Sequence, residues 1–287
     1  MVDWCNKIHG SRRLVDEMLH SIFFLGKINK VPFSPSEIIP DGNMHDNLQR
    51  TYPGAFESYL THLPKRSPFS CVLDMIVLQK KPENENQIKQ SLKDLVNNLE
   101  PGFLVSSTLC VSTFIKSQKS KCGQTSKTSV WHYGVSMSTS GPNPGKIVIG
   151  CSCLSAWEHN VAGAVMTYYP EKKKKPYFDG TIKLPAEVKC QAYNISSGRE
   201  MNPCRSCGNL FGLQTLEEKE WPYGNCAEVE SLSNLLRNEE VNPTPDNNPD
   251  KRKEAKDSVL KELKKVLQMI KYNTWEGEFY TAQTLQS

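Results

Sequence analysis

Three cysteines and one carboxylate carry the clearest chemical signal in the chain. Cys204 and Cys207 stand in Asn202-Pro203-Cys204-Arg205-Ser206-Cys207-Gly208, and Cys226 and Glu228 in Tyr223-Gly224-Asn225-Cys226-Ala227-Glu228. Two thiols separated by two residues can both face one tetrahedral ion, because a tight turn or a first helical turn points both sulfurs the same way. Pro203 suits the start of such a turn or helix. Gly224-Asn225 is a turn signal that lets a helix begin at Cys226. A thiol there meets the positive end of the backbone dipoles, which lowers its pKa and prepares it to ligate metal. In that helix Glu228, Leu232 and Leu235 fall at i, i+4 and i+7, so the carboxylate shares a face with apolar residues while Glu230 lies off it.

A carboxylate on a buried face is costly without a partner or a task. Three thiolates leave the fourth position of a zinc ion open, and an open position separates a catalytic zinc from a structural one. Zinc is therefore the expected cofactor, held by Cys204, Cys207 and Cys226, with Glu228 handling protons. A structural zinc needs a fourth protein ligand, for which Cys190, His159, Cys151 and Cys153 are the candidates. A redox pair at Cys204 and Cys207 would instead carry no metal and have a low thiol pKa.

These motifs resemble a known family. Pro203-Cys204-x-x-Cys207 is similar to the P-C-x-x-C motif of the zinc-dependent cytidine deaminase superfamily, and Cys226-Ala227-Glu228 resembles its H/C-x-E motif. The resemblance runs from Lys189 to Arg237, with a run of strands before it. It implies zinc on the three cysteines and Glu228 as the proton shuttle of a hydrolytic deamination. It also implies Asn202 and Asn225 as motif-flanking substrate contacts, and a nucleobase, nucleoside or single-stranded nucleic acid as the ligand. The family places H/C-x-E first and P-C-x-x-C second, whereas here the order is reversed and no cysteine follows Cys226. A homologous site then implies a deaminase-like fold whose two zinc-bearing helices are connected in permuted order. The alternative from another class is a non-catalytic zinc-stabilised interaction module, of a host-defence or nucleic-acid-sensing kind.

The elements that must position these residues are read from hydrophobic spacing. Arg12 to Ile28 repeats apolar residues at Leu14, Val15, Met18, Leu19, Ile22 and Phe23, the period of an amphipathic helix. Val31 to Pro68 is rich in proline and reads mostly as loop. This divides the chain into residues 1–68, an N-terminal helix and proline-rich segment, and residues 69–287, a zinc-binding α/β domain with a C-terminal helix. Within the latter, Cys71 to Leu78 reads as a strand and Asn86 to Leu99 as a helix closed by Pro101-Gly102. Strands are expected at Phe103 to Ile115, Val130 to Met137, Lys146 to Cys153 and Val161 to Tyr169, and a strand pair broken at Pro185 within Thr181 to Ile195. Helices at Glu228 to Arg237 and Ser258 to Tyr272 flank the polar connector VNPTPDNNPDKRK. The sum is an α/β protein with a central mixed β-sheet flanked by helices and its metal site at two helix N-termini.

Composition bounds rather than directs this reading. With 287 residues, 38% hydrophobic and 23% charged, the chain can bury one large core or two small ones. A net charge of +4 permits an acidic ligand without demanding one. No apolar run approaches the roughly 18 residues that span a bilayer, and no signal peptide is read at the N-terminus, so a cytoplasmic protein without membrane partners is expected. The ten cysteines are too sparse for a small disulfide scaffold and read as free thiols plus a metal site. His132 and Trp157-Glu158-His159 read first as structural residues, and Lys172 to Lys175 before Pro176-Tyr177-Phe178 as a solvated hairpin tip.

Overall fold

A computed structural model describes residues 8, 10–99, 104–119, 125–178, 181–241 and 249–283. In chain order the elements are α1 (Arg12–Lys27), α2 (Pro35–Ile38), α3 (Gly42–Thr51), α4 (Pro53–Ser58), α5 (Pro68–Lys80) and α6 (Glu85–Asn98). They continue with β1 (Thr108–Lys119), β2 (Thr125–Val135), α7 (Pro142–Ser155), α8 (His159–Tyr168), β3 (Val188–Asn194) and β4 (Glu200–Met201). The last are α9 (Arg205–Phe211), α10 (Ala227–Asn238) and α11 (Pro249–Met269). The α/β class is as expected. The Pro101-Gly102 helix stop and most of the connector after Val241 lie outside the described residues.

Three expected strands are helices. Cys71 to Leu78 lies in α5, Lys146 to Cys153 in α7, and Val161 to Tyr169 mostly in α8. Each helix is buried over most of its circumference, as Ile147, Val148, Ile149, Cys151 and Cys153 of α7 show. A helix that is apolar all round has no 3.6-residue stripe, and a short apolar run then looks like a buried strand. The discriminating signals are at the starts: Pro68 and Pro142 sit in the first helical turns of α5 and α7, where a missing N–H costs nothing. Glu158 caps α8 by accepting from the N–H groups of Asn160 and Val161 at 2.8 and 3.2 Å. The proline-rich segment is likewise helical rather than loop. Ser34 and Glu37 form a capping box at the start of α2, and Asp41 accepts from the Met44 N–H at 2.9 Å at the start of α3.

The sheet has four strands in the order β2-β1-β3-β4, and every neighbouring pair is antiparallel. This corrects the expected mixed sheet. A parallel pair requires a crossover between strands, and the segments that could have supplied further strands became α7 and α8. Within Thr181 to Ile195 only the part after Pro185 is a strand, β3.

Alternation along the strands puts helices on both faces of the sheet. Leu109 and Val111 of β1, with Tyr133 and Val135 of β2, pack against Phe69, Leu73 and Ile76 of α5 and Ile88 and Leu92 of α6. Their neighbours Cys110, Ser112, His132 and Gly134 belong to the opposite face, which α10 covers. Behind α10 lies a second apolar layer in which Val229, Leu232 and Leu235 meet α7, α8, α9 and α11. Helix α10 is thus sandwiched, and residues Ala227 to Ser233 are all buried. No described helix is long and apolar enough to cross a membrane.

Candidate metal centre

Cys204, Cys207 and Cys226 form the one group among the described residues whose ligand atoms could hold a metal ion, all within 4.8 Å of one another. Cys204 is the N-cap of α9 and Cys226 the N-cap of α10, both with extended backbone. Cys207 follows in the first turn of α9 and is fully buried. The Sγ–Sγ distances are 3.7 Å from Cys204 to Cys207 and 3.4 Å from Cys204 to Cys226. A tetrahedral zinc with Zn–S bonds of about 2.3 Å separates its sulfurs by roughly 3.8 Å, so the three thiols fit zinc in both spacing and donor type.

Several contacts hold these two helix starts together. The segment between α9 and α10 folds back on the first turn of α9: the Lys219 carbonyl accepts from the Arg205 N–H at 3.1 Å, and the Trp221 carbonyl from the Ser206 hydroxyl at 2.6 Å. Gly224 then turns the chain into α10 with φ +95°, and a Cβ there would meet Ile149 at 2.7 Å and Trp157 at 3.1 Å. Glycine is required on both counts.

Helix α10 is docked on the sheet through Gly134. A Cβ at this position would lie 2.2 Å from the Ser231 backbone nitrogen and 2.6 Å from the Ala227 carbonyl oxygen. The bare glycine therefore lets the first turns of α10 rest directly on β2. Glu230 fixes that contact by accepting from the Val135 N–H at 2.8 Å, and the Ser231 hydroxyl donates to Ser112 Oγ at 2.7 Å. Farther along, the Asn234 amide donates to the Tyr133 carbonyl at 2.9 Å. Glu230, expected off the buried face, is 8% exposed because both sides of the helix are covered. Gly134 and Glu230 were not singled out by spacing, since each matters only through what packs opposite it.

The thiols share their protons unequally. Cys204 is pushed far below the ordinary thiol range, first by the Cys207 thiol and then by that of Cys226, with the N–H groups of Cys207 and Ser206 adding to the effect. Cys207 and Cys226 are raised, chiefly because the thiolate they face is Cys204. Glu228, 5% exposed, has its carboxyl pKa raised, first by burial. Its own backbone N–H pulls the other way, the Cys204 charge raises it, and the Cys207 thiol lowers it. The arrangement can bind a soft divalent cation on three sulfurs and move a proton at the adjacent carboxyl.

Cys204, Cys226 and Glu228 open on a cavity of about 590 Å³, whose wall also includes Asn202 and Asn225. Asn225 is anchored by its carbonyl, which accepts from the Met137 N–H at 2.9 Å. The four residues weighed as a fourth ligand all stand outside the three-thiol group. Cys190 Sγ lies 3.2 Å from Cys110 Sγ, His159 pairs with Glu158 at 2.6 Å, and Cys151 and Cys153 are buried with thiols pushed up by desolvation. His132 contacts Glu239 at 2.9 Å beyond the far end of α10. Lys172 and Lys175 donate to the carbonyls of Glu220 and Tyr169. No family model, curated protein or solved structure matches the chain.

Proposed function

We propose that the protein is a zinc-dependent deaminase-like hydrolase acting on a nucleobase, nucleoside or nucleic acid, with Cys204, Cys207 and Cys226 as metal ligands. The observation that carries this reading is the cluster of three thiols beside a buried carboxyl at the edge of one cavity, with none of the four candidate fourth ligands in the cluster. It favours an open coordination position, and hence an enzyme, over a zinc-stabilised interaction module. The motif resemblance points to the same chemistry, in a deaminase-like fold with α9 and α10 in permuted order.

When bound, zinc supplies Lewis-acid activation of water. Glu228 would take one proton from the attacking water and pass it to the ring nitrogen, then take the second from the new hydroxyl as the carbonyl forms and pass it to the departing amine, so that amine and water exchange for carbonyl and ammonia. Asn202 and Asn225 contact the substrate from the cavity wall. Cys207, fully buried, binds metal without meeting the ligand.

Metal analysis of the parent beside Cys226→Ser and Glu228→Gln tests the assignment. The parent carries about one zinc per chain, the first change removes most of it, and the second keeps it. Unchanged zinc in Cys226→Ser takes Cys226 out of the site. Ammonia release from nucleosides, present in the parent and lost in zinc-replete Glu228→Gln, assigns the chemistry.

A further inference from the structure

We infer that the ligand of the thiol cavity is a single uncharged or cationic amino-heterocycle, a free base or nucleoside, and that phosphorylated forms and polynucleotides are disfavoured there; this rests on the deaminase reading above. The first ground is size. About 590 Å³ lies within the range of small-molecule pockets, roughly 300 to 1,000 Å³, and is enough for one base or nucleoside.

The second ground is charge. The ionisable carboxylates and cations on the cavity wall are Glu200, Glu217, Glu228 and Lys219. Lys219, the one cation among these described residues, places its ammonium 3.9 Å over the Trp221 ring, which already offers it a negative π-face. Three thiolates on a divalent ion add a further net negative charge. A phosphate would enter a field of its own sign, which weakens association and rejects the wrong partner. Strand binders line their grooves with cations instead.

The third ground is the aromatic wall. Trp221 is 43% exposed and lines the cavity, and Met201, 40% exposed, stands with it. A planar heterocycle gains by stacking on the ring face that Lys219 leaves uncovered. Cations do occur next door: a second cavity of about 390 Å³, sharing Met137 and Asn225 with the first, holds Lys146 and Lys172 beside Glu171. Lys172 already donates to the Glu220 carbonyl. Among the described residues lining the two cavities, Lys146 and Lys172 are the cations besides Lys219 that a 5′-phosphate could meet, which makes the nucleoside monophosphates the stringent comparison.

The experiment measures equilibrium binding to the zinc-replete full chain by ligand-observed NMR. The probes are cytidine, adenosine and guanosine, their 5′-monophosphates, and a short mixed-sequence single-stranded DNA. At least one nucleoside is expected to bind roughly tenfold tighter than its monophosphate and than the DNA. In Glu200→Gln/Glu217→Gln that gap narrows roughly threefold. The inference is overturned if a monophosphate or the DNA binds as tightly as every nucleoside, if no nucleoside binds, or if the double variant leaves the gap unmoved. Ammonia release separates the two levels: a nucleoside that binds preferentially to zinc-replete protein yet yields no ammonia supports the ligand class and refutes the deaminase reading.

Discussion

Glu228 and Glu230 sit two residues apart at the start of α10, both nearly sealed from solvent and both with carboxyl groups raised chiefly by burial. What they face differs completely. Glu228 borders the thiols and their cavity, whereas Glu230 accepts from the Val135 backbone, has Arg66 and Ser70 lowering its pKa, and lines a separate cavity of about 760 Å³ with Arg66, Asp74 and Arg237. The same residue type on one helix thus borders the candidate metal centre in one case and docks the helix on the sheet in the other. Burial alone does not identify a functional carboxylate; the atoms it addresses do.

The largest expected effect breaks the pair on its chemical side. Glu228→Gln keeps the shape but removes the titratable carboxyl, and ammonia release falls about 100-fold or more while zinc content and thermal midpoint stay near parental. Glu230→Gln leaves turnover close to parental. A turnover loss of similar size in both variants would erase the distinction between them.

Next in size is the ground on which both residues stand. Gly134→Val forces a branched side chain into the Ser231 and Ala227 backbone and is expected to cost about 3 kcal/mol or more, measured by denaturant unfolding. Zinc affinity falls with it, because Cys226 travels with the helix. A protein of parental stability would mean that α10 does not rest on β2 as described.

The smallest effect sharpens the structural side. Burial raises the Glu230 pKa from 4.5 to about 6, so the folded protein holds a proton that the unfolded chain has lost. The stability it contributes is complete below pH 4.5 and declines as pH rises through 6, by about 2 kcal/mol in all. Glu230→Gln abolishes that slope. His20, whose pKa burial lowers from 6.5 to about 3, tilts the parental curve the other way below pH 6.5. The informative quantity is therefore the difference between parent and Glu230→Gln across pH 4.5 to 6.5, and a flat difference contradicts the assignment.

The site was more legible than the fold because its residues announce themselves locally. Cys204 and Cys207 declare a shared target through their spacing, and Gly224-Asn225 marks the turn that makes Cys226 an N-cap. The burial of Glu228 follows from helix periodicity. Glu230 escaped because periodicity assumes one covered face, and α10 has two. The amphipathic helices α1 and α6 were visible in their stripes, whereas α5, α7 and α8 were read as strands because uniform burial erases the stripe. Pro68, Pro142 and Glu158 held the corrective signals at the helix starts. Gly134 carried none, since a glycine in a strand shows nothing of the helix that crosses it.

On the proposed function, Cys204, Cys207 and Cys226 hold zinc and leave one position for a reacting molecule. X-ray absorption at the zinc edge of the purified, metal-replete protein tests it most directly. The account predicts about three sulfurs near 2.3 Å and one lighter oxygen or nitrogen atom at about 2.0 to 2.1 Å. A shell of four sulfurs, or a protein that binds no zinc at all, would contradict it.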